Sequence, residues 1–187
     1  IGDTNRRIQI INEQFGILND IYKRLNSFVF TDSEFNNFEN IDLVEFVKGI
    51  ITISSNKLQR DGIKIVFETE LKKACFVGMK NQMEQVFISL LDNAKATMPE
   101  GGIIKIGIYE NHKNKVTVNI SDTGVGFSED ELKEFFSISY VKSKKDFIGL
   151  YYIQNIIKEH KGKIIVSSEI GKGTSYKIML PTVKNTR

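Results

Sequence analysis

Cysteine is almost missing from this sequence: Cys75 stands alone in 187 residues. One cysteine excludes an internal disulfide and fits a reducing compartment, so a cytoplasmic location is expected. Cys75 lies in the apolar run "ACFV" (74–77), the setting of a buried structural thiol rather than of a nucleophile. No apolar run approaches the ~20 residues needed to span a bilayer, and no secretory leader opens the chain. Charge of one sign is also scarce. The formal net charge is +3 and the lysines are scattered, which gives no reason to expect nucleic acid as a partner. No internal repeat is apparent. The first residue is Ile1 rather than methionine, so a fragment of a longer protein is expected, with any membrane attachment in the portion before it.

What is present describes a globular chain. Hydrophobic residues make up 41% and charged residues 26%, and the length suits one domain with a sizeable core plus an appendage. The appendage comes first. Ile8, Ile11, Phe15, Leu18, Tyr22, Leu25 and Val29 alternate spacings of three and four, the seam of a bundle or coiled-coil helix over residues 1–30. Ile10, Ile17, Ile21 and Phe28 widen that surface, and no second long heptad segment follows. The helix therefore needs a partner, expected to be another copy or an absent portion; packing on its own domain is the alternative.

"TDSEFNNFEN" (31–40) is polar and turn-rich, so a linker is expected over 31–41. Asp42, with Glu45 three residues on, reads as a capping box opening a helix to about Arg60, where "DG" breaks it. "IKIVFETE" (63–70) alternates as a strand. Met83, Val86, Phe87, Leu90, Leu91 and Ala94 share one face of a helix over 80–97, with Gln85, Ser89, Asp92, Asn93 and Ala96 on the other. Strands follow at 103–110 and 115–122, then a short helix over 129–136 capped by Ser128 and Glu131. A lysine-rich loop (137–147) precedes a helix from Gly149 to His160, and strands at 163–169 and 174–180 close the domain, leaving 182–187 as a tail. This order predicts an α+β fold, a two-layer α/β sandwich with helices on one face of a mixed sheet.

One strand end carries a candidate chemical group. Asp122 shares the parity of Val116, Val118 and Ile120, so its carboxylate points inward and needs a donor. An adenine amino group would serve, as would nearby backbone N–H groups or water. Gly124 and Gly126 directly after it allow a sharp turn and close approach to a flat ring. Singly, such features are common in turns and on solvated helix faces.

In combination they are specific. "LLDNA" (90–94), "MPEGG" (98–102), "DTGVGF" (122–127), "GLYYIQNIIKEHKGKI" (149–164) and "SEIGKGTSYKIMLP" (168–181) strongly resemble the catalytic, ATP-binding domain of sensor histidine kinases. The resemblance covers residues 42–181, and the heptad helix is similar to the second helix of the dimerisation and phosphotransfer hairpin. It implies a Bergerat-type fold, ATP and Mg²⁺ as ligands, a homodimer through residues 1–30, and a response regulator as partner. Asn93 would hold Mg²⁺, whose hard-oxygen preference suits it. Asp122 would read the adenine amino group, with Gly124, Gly126 and Thr174 around it. Gly171 and Gly173 match a third glycine motif. Gly149 and Leu150 would meet phosphate at a helix start, with Lys142, Lys144, Lys145, Ser89 and Lys95 as further phosphate or lid residues. For the loop lysines a solvated loop remains the alternative. Phe136 and Tyr140 stand where the family's lid begins.

Three departures bear on activity. Ser89 replaces the usual asparagine one turn before Asn93, and cannot act as the glutamate base of related ATPases. The glycine-rich lid hinge is reduced to "KDFIGL" (145–150), where Phe147 adopts positive φ only at a cost. Neither His112 nor His160 lies on the heptad helix, so the phosphoacceptor is expected before Ile1 and the fragment is not expected to phosphorylate itself. A degenerate, non-catalytic dimeric module is the alternative reading; a serine kinase of the same superfamily leaves the heptad helix without a role.

Overall fold

Period-two alternation along the chain becomes paired strands, and period-3.6 stripes become the helices that cover them. The computed structural model describes residues 37–111, 114–135 and 150–183; the heptad helix expected over 1–30 lies outside them. The elements run β1 (Glu39–Asp42), α1 (Leu43–Arg60), β2 (Ile63–Thr69), β3 (Cys75–Gly78), α2 (Lys80–Ala96), β4 (Gly102–Asn111), β5 (Lys115–Asp122), α3 (Glu129–Phe135), α4 (Leu150–Glu159), β6 (Lys163–Glu169) and β7 (Gly173–Pro181). Among the described residues no helix is long and apolar enough to cross a membrane.

The main sheet has the order β2-β4-β5-β7-β6. β2 pairs parallel with β4 and the other pairings are antiparallel, so the sheet is mixed as expected. Ile104, Ile106 and Ile108 of β4, Val116, Val118 and Ile120 of β5, and Tyr176, Ile178 and Leu180 of β7 are buried on one face. Residues of the opposite parity, Ile103, Tyr109 and Ile165, are exposed. α1 packs on β2, α2 on β5 and α4 on β6, with α2 between the other two helices. The result is a two-layer α+β sandwich whose core lies between the helices and one sheet face.

α2 buries Met83, Val86, Phe87, Leu90, Leu91 and Ala94, the stripe its sequence spacing predicts. Each such apolar side chain contributes roughly 1.5–3 kcal/mol on burial. Phe87 meets Phe46 of α1 edge-on, with centroids 5.6 Å apart. Asp42 caps α1 by accepting from Val44 N–H at 3.1 Å, but the reciprocal half of the expected capping box is absent. Glu45 turns outward to Lys48 at 2.8 Å instead, and Asp42 Oδ1 also accepts from Ala74 N–H at 3.3 Å. At Ser128 the capping box forms in full, with Ser128 N–H donating to Glu131 Oε2 at 3.0 Å and Glu131 N–H to Ser128 Oγ at 3.3 Å.

The stretch expected as a linker is structured at its end. Glu39–Asp42 pairs antiparallel with Cys75–Gly78, a partner more than thirty residues away that local polarity does not reveal. Cys75 is buried in this pair. The expected tail is likewise tied at its start, with Val183 N–H donating to Cys75 O at 3.0 Å.

His160 closes α4 onto the start of α2. Its Nε2 accepts from Met79 N–H at 2.9 Å, so Nδ1 carries the proton and donates to Ile156 O at 2.7 Å. Met79 is the N-cap of α2 and offers no side-chain cap of its own. His160→Leu would leave that buried N–H unpaired, at a cost of about 1–3 kcal/mol. Urea denaturation followed by far-ultraviolet circular dichroism should show a lower midpoint at unchanged slope.

Candidate functional site

Asp122 ends β5, and strand parity turns it into the interior beneath the helices, where it is 5% exposed. Its two oxygens have different surroundings. Oδ1 accepts from Gly124 N–H at 2.9 Å and Thr174 N–H at 3.2 Å, with the Thr97 hydroxyl at 3.4 Å. Oδ2 is buried and has no hydrogen-bond partner among the described residues. Burial raises the Asp122 pKa above the ordinary aspartate value, and the Gly124, Thr174 and Thr97 contacts oppose it only partly. Tyr176, beneath the same region, has its phenol pushed well above its usual value by burial and then by the Asp122 charge.

The turn after Asp122 is locked by two other segments. A Cβ on Gly124 would strike the Thr97 side chain. Gly126 has φ +69° and its open side abuts the Glu169 carbonyl, while Gly173 has φ +100° and abuts the Asp122 carbonyl. Ser168 completes the lock: its Oγ accepts from Phe127 N–H at 2.9 Å, donates to Gly173 O at 2.8 Å, and lies 2.9 Å from Thr174 Oγ1. Gly171 N–H donates to Val125 O at 2.7 Å. Gly126 and Gly173, from two distant motifs, are thus required by backbone-to-backbone packing, whereas for Gly126 the sequence suggested approach to a flat ligand.

α2 supplies the other wall. Asn93 was expected on a polar face, yet it is 3% exposed and its Nδ2 is buried without a partner among the described residues. Thr97, one turn later, caps the helix and is equally buried. Ser89 lies half-buried one turn before Asn93. Lys95 does not stand free for phosphate: its ammonium pairs with Asp61 Oδ2 at 2.7 Å, because its helical position turns it toward the end of α1. Leu150 has its side chain buried in the core, so only its backbone could face a ligand at the start of α4. Gly149, Lys142, Lys144, Lys145, Phe136, Tyr140 and Phe147 lie outside the described residues.

The structure therefore gathers Asp122, Gly124, Gly126 and Thr174 into one cluster and joins it to the Asn93 helix through Thr97. Thr97 and Ser168 were missed in the sequence; each is a common hydroxyl residue whose partners are distant in the chain. The cluster offers one unfilled buried acceptor, Asp122 Oδ2, which fits an exocyclic amino donor. It also offers one unfilled buried amide, which by rotation presents either oxygen or nitrogen. Among the described residues no group of three or more His, Cys, Asp or Glu is placed to hold a metal ion. A metal at Asn93 would need most of its ligands from phosphate and water.

Residues 78–184 match the family model described as histidine kinase-, DNA gyrase B- and HSP90-like ATPase. The chain belongs to this family. Within it, the chain's relatives are sensor kinases. Sporulation kinase E of Bacillus subtilis (strain 168) is 42% identical over 106 residues, 56% of this chain and 14% of that protein. Sensor protein RprX of Bacteroides fragilis (strain YCH46) is 29% identical over 194 residues, 95% of this chain and 37% of that protein. The catalytic domain of histidine kinase ThkA, solved free of nucleotide, superposes with a TM-score of 0.70 at 26% identity, covering 78% of this chain and 97% of that one. The chain is thus an ATPase domain of the sensor histidine kinase type, and these relatives do not favour the non-catalytic alternative. It spans well under half the length of the curated relatives reported above.

In this ATPase domain Gly126→Ala would force a side chain into positive φ against the Glu169 backbone. A strained conformation of this kind costs on the order of 1–3 kcal/mol before the clash is counted. Thermal denaturation should show a large drop in midpoint, whereas Gly171→Ala, with open space around it, should cost only the strain.

Proposed function

We propose that the chain is the ATP-binding catalytic portion of a two-component sensor histidine kinase. In the full protein it would transfer the γ-phosphoryl of ATP to a histidine carried outside this chain, and from there to an aspartate of a response regulator. The P–O bond to the β-phosphate breaks, a P–N bond to imidazole forms, and ADP leaves. The observation that carries the reading is the buried, unpartnered Oδ2 of Asp122, an acceptor waiting for the adenine amino group. ThkA, a structural relative with a TM-score of 0.72 over 95% of this chain, has been solved in complex with the response regulator protein TrrA, which supports that partner. We assign dimerisation to residues 1–30, and a cytoplasmic location on the strength of the single buried thiol.

In this reading the residues divide the nucleotide between them. Asp122 Oδ2 accepts from the adenine amino group, Gly124 and Thr174 hold the carboxylate in place, and Gly126 shapes the turn beside it. Asn93 would hold Mg²⁺ through its amide oxygen, and the ion would supply charge neutralisation for the phosphates. We assign phosphate to the first-turn N–H groups of α4, and Gly149, Lys142, Lys144 and Lys145 would contribute to the same role. Positioning and charge stabilisation provide the catalysis. Ser89 offers a hydroxyl where the family has a longer amide, and Phe147 replaces a hinge glycine, so phosphoryl transfer is expected to be slower than nucleotide binding alone implies.

Calorimetric titration with ATP and ADP, each with and without Mg²⁺, tests this. Binding of ATP should strengthen with Mg²⁺, and Asn93→Ala should remove that gain while leaving metal-free binding. Undetectable nucleotide binding in every condition would sink the reading. Equal, metal-independent binding of both nucleotides would instead leave a base-binding module without transfer.

Asp122→Asn gives a second test with a defined sign. Because the folded pKa of Asp122 is raised, its contribution to stability is present below the unfolded value near 3.8 and is lost as pH rises through the folded pKa. Asparagine keeps the Oδ1 acceptor without the buried charge. The variant should therefore melt above the wild type at pH 7, with the advantage vanishing below about pH 4. Its ATP affinity should fall about tenfold or more, since a charged acceptor is lost.

A further inference from the structure

Among the described residues, every donor to the Asp122 carboxylate is directed to one oxygen. Gly124 N–H, Thr174 N–H and the Thr97 hydroxyl all meet Oδ1, and none reaches Oδ2. Two of these donors are main chain. Thr97 is the single side chain in the set, and it comes from a different layer, the C-terminal cap of α2. It also touches the turn at two further points. Its carbonyl accepts from Val125 N–H at 3.1 Å, and its hydroxyl oxygen occupies the space where a Cβ on residue 124 would sit. Asn93 lies one helical turn before it, on the same buried side.

The hydroxyl has one proton and two acceptors. The shorter contact, 2.8 Å to Ala94 O, fixes its rotamer; the longer, 3.4 Å, reaches Asp122 Oδ1. The single proton is shared between the two, so the hydroxyl adds a third, longer contact to the two main-chain ones that hold Oδ1 against the turn. A cap alone would need only the Ala94 contact.

We infer that Thr97 is a positioning residue for base recognition: it anchors Oδ1 of Asp122 to the helix bearing Asn93, so that Oδ2 alone faces the ligand's 6-amino group. The inference rests on the nucleotide reading above. It joins the adenine-side and metal-side residues through one buried side chain, and it gives discrimination between 6-aminopurine nucleotides and those lacking the amino group a structural source.

The test compares ATP with purine riboside 5′-triphosphate, which lacks only the 6-amino group, on the wild type, Thr97→Val and Thr97→Ser. Valine keeps the shape and β-branching but removes the hydroxyl. ATP affinity should fall about three- to tenfold in Thr97→Val, while affinity for the purine analogue stays unchanged, and Thr97→Ser should restore the ATP preference. The pH at which ATP binding is half lost on acidification should rise in Thr97→Val, since the hydroxyl contact favours the ionised carboxylate. If valine at the cap prevents folding, the same ratio is read on Thr97→Ala. Equal weakening of both nucleotides, or an unchanged ratio, overturns the inference and leaves Thr97 as a helix cap. Wild-type protein that binds neither nucleotide overturns the nucleotide reading as well.

Discussion

A carboxylate buried at the end of the central strand must have its oxygens accounted for, and the described structure is arranged around how Asp122 meets that demand. Taking an ionised group out of water is costly unless donors surround it. Here Oδ1 draws in the turn at Gly124, the start of β7 at Thr174 and the cap of α2 at Thr97. Three segments distant in the chain are thereby brought to one atom. Oδ2 receives no donor from the described residues, so the arrangement leaves a desolvated acceptor at a fixed place. A site of this kind is less stable than the same fold with the oxygen satisfied, and it is poised for a ligand that supplies the missing donor.

The glycines serve that arrangement. Gly126 lies against the Glu169 carbonyl and Gly173 against the Asp122 carbonyl, so the loop after β5 and the hairpin between β6 and β7 approach within backbone contact. Ser168 bridges the two with contacts to Phe127, Gly173 and Thr174. A side chain at either glycine would push the segments apart and move the donors away from Asp122. The α2 cap closes the third side, and His160 holds the other end of α2 through Met79. The helix that carries Asn93 and Thr97 is therefore fixed at both termini.

Much of the fold was legible in the chain because it depends on local periodicity. The alternation at 115–122 gave both the strand and the inward aim of Asp122, and the stripe from Met83 to Ala94 gave the buried face of α2. The pairing of Glu39–Asp42 with Cys75–Gly78 was not legible, because three polar residues around a single apolar one, Ile41, form a strand only when a distant edge is offered. Asn93 read as solvated for a related reason. Helical spacing places it beside polar neighbours, and only the packing of α2 between α1 and α4 over β5 shows that this flank is covered. Lys95 looked free until the end of α1 brought Asp61 within 2.7 Å.

The sequence by itself determined the order of elements, the apolar faces and the set of motifs, since these follow from spacings of two to four residues and from residue types that restrict the backbone. The tertiary structure alone decided which oxygen of Asp122 is left without a donor among the described residues, that Thr97 reaches the other oxygen, that Asn93 is buried, and that Lys95 is engaged elsewhere. Those outcomes rest on contacts such as Thr174 to Asp122, 52 positions apart, and Thr97 to Asp122, 25 apart. A hydrogen bond needs its partners within about 3.5 Å, and no local pattern in a chain specifies which distant residue will arrive there.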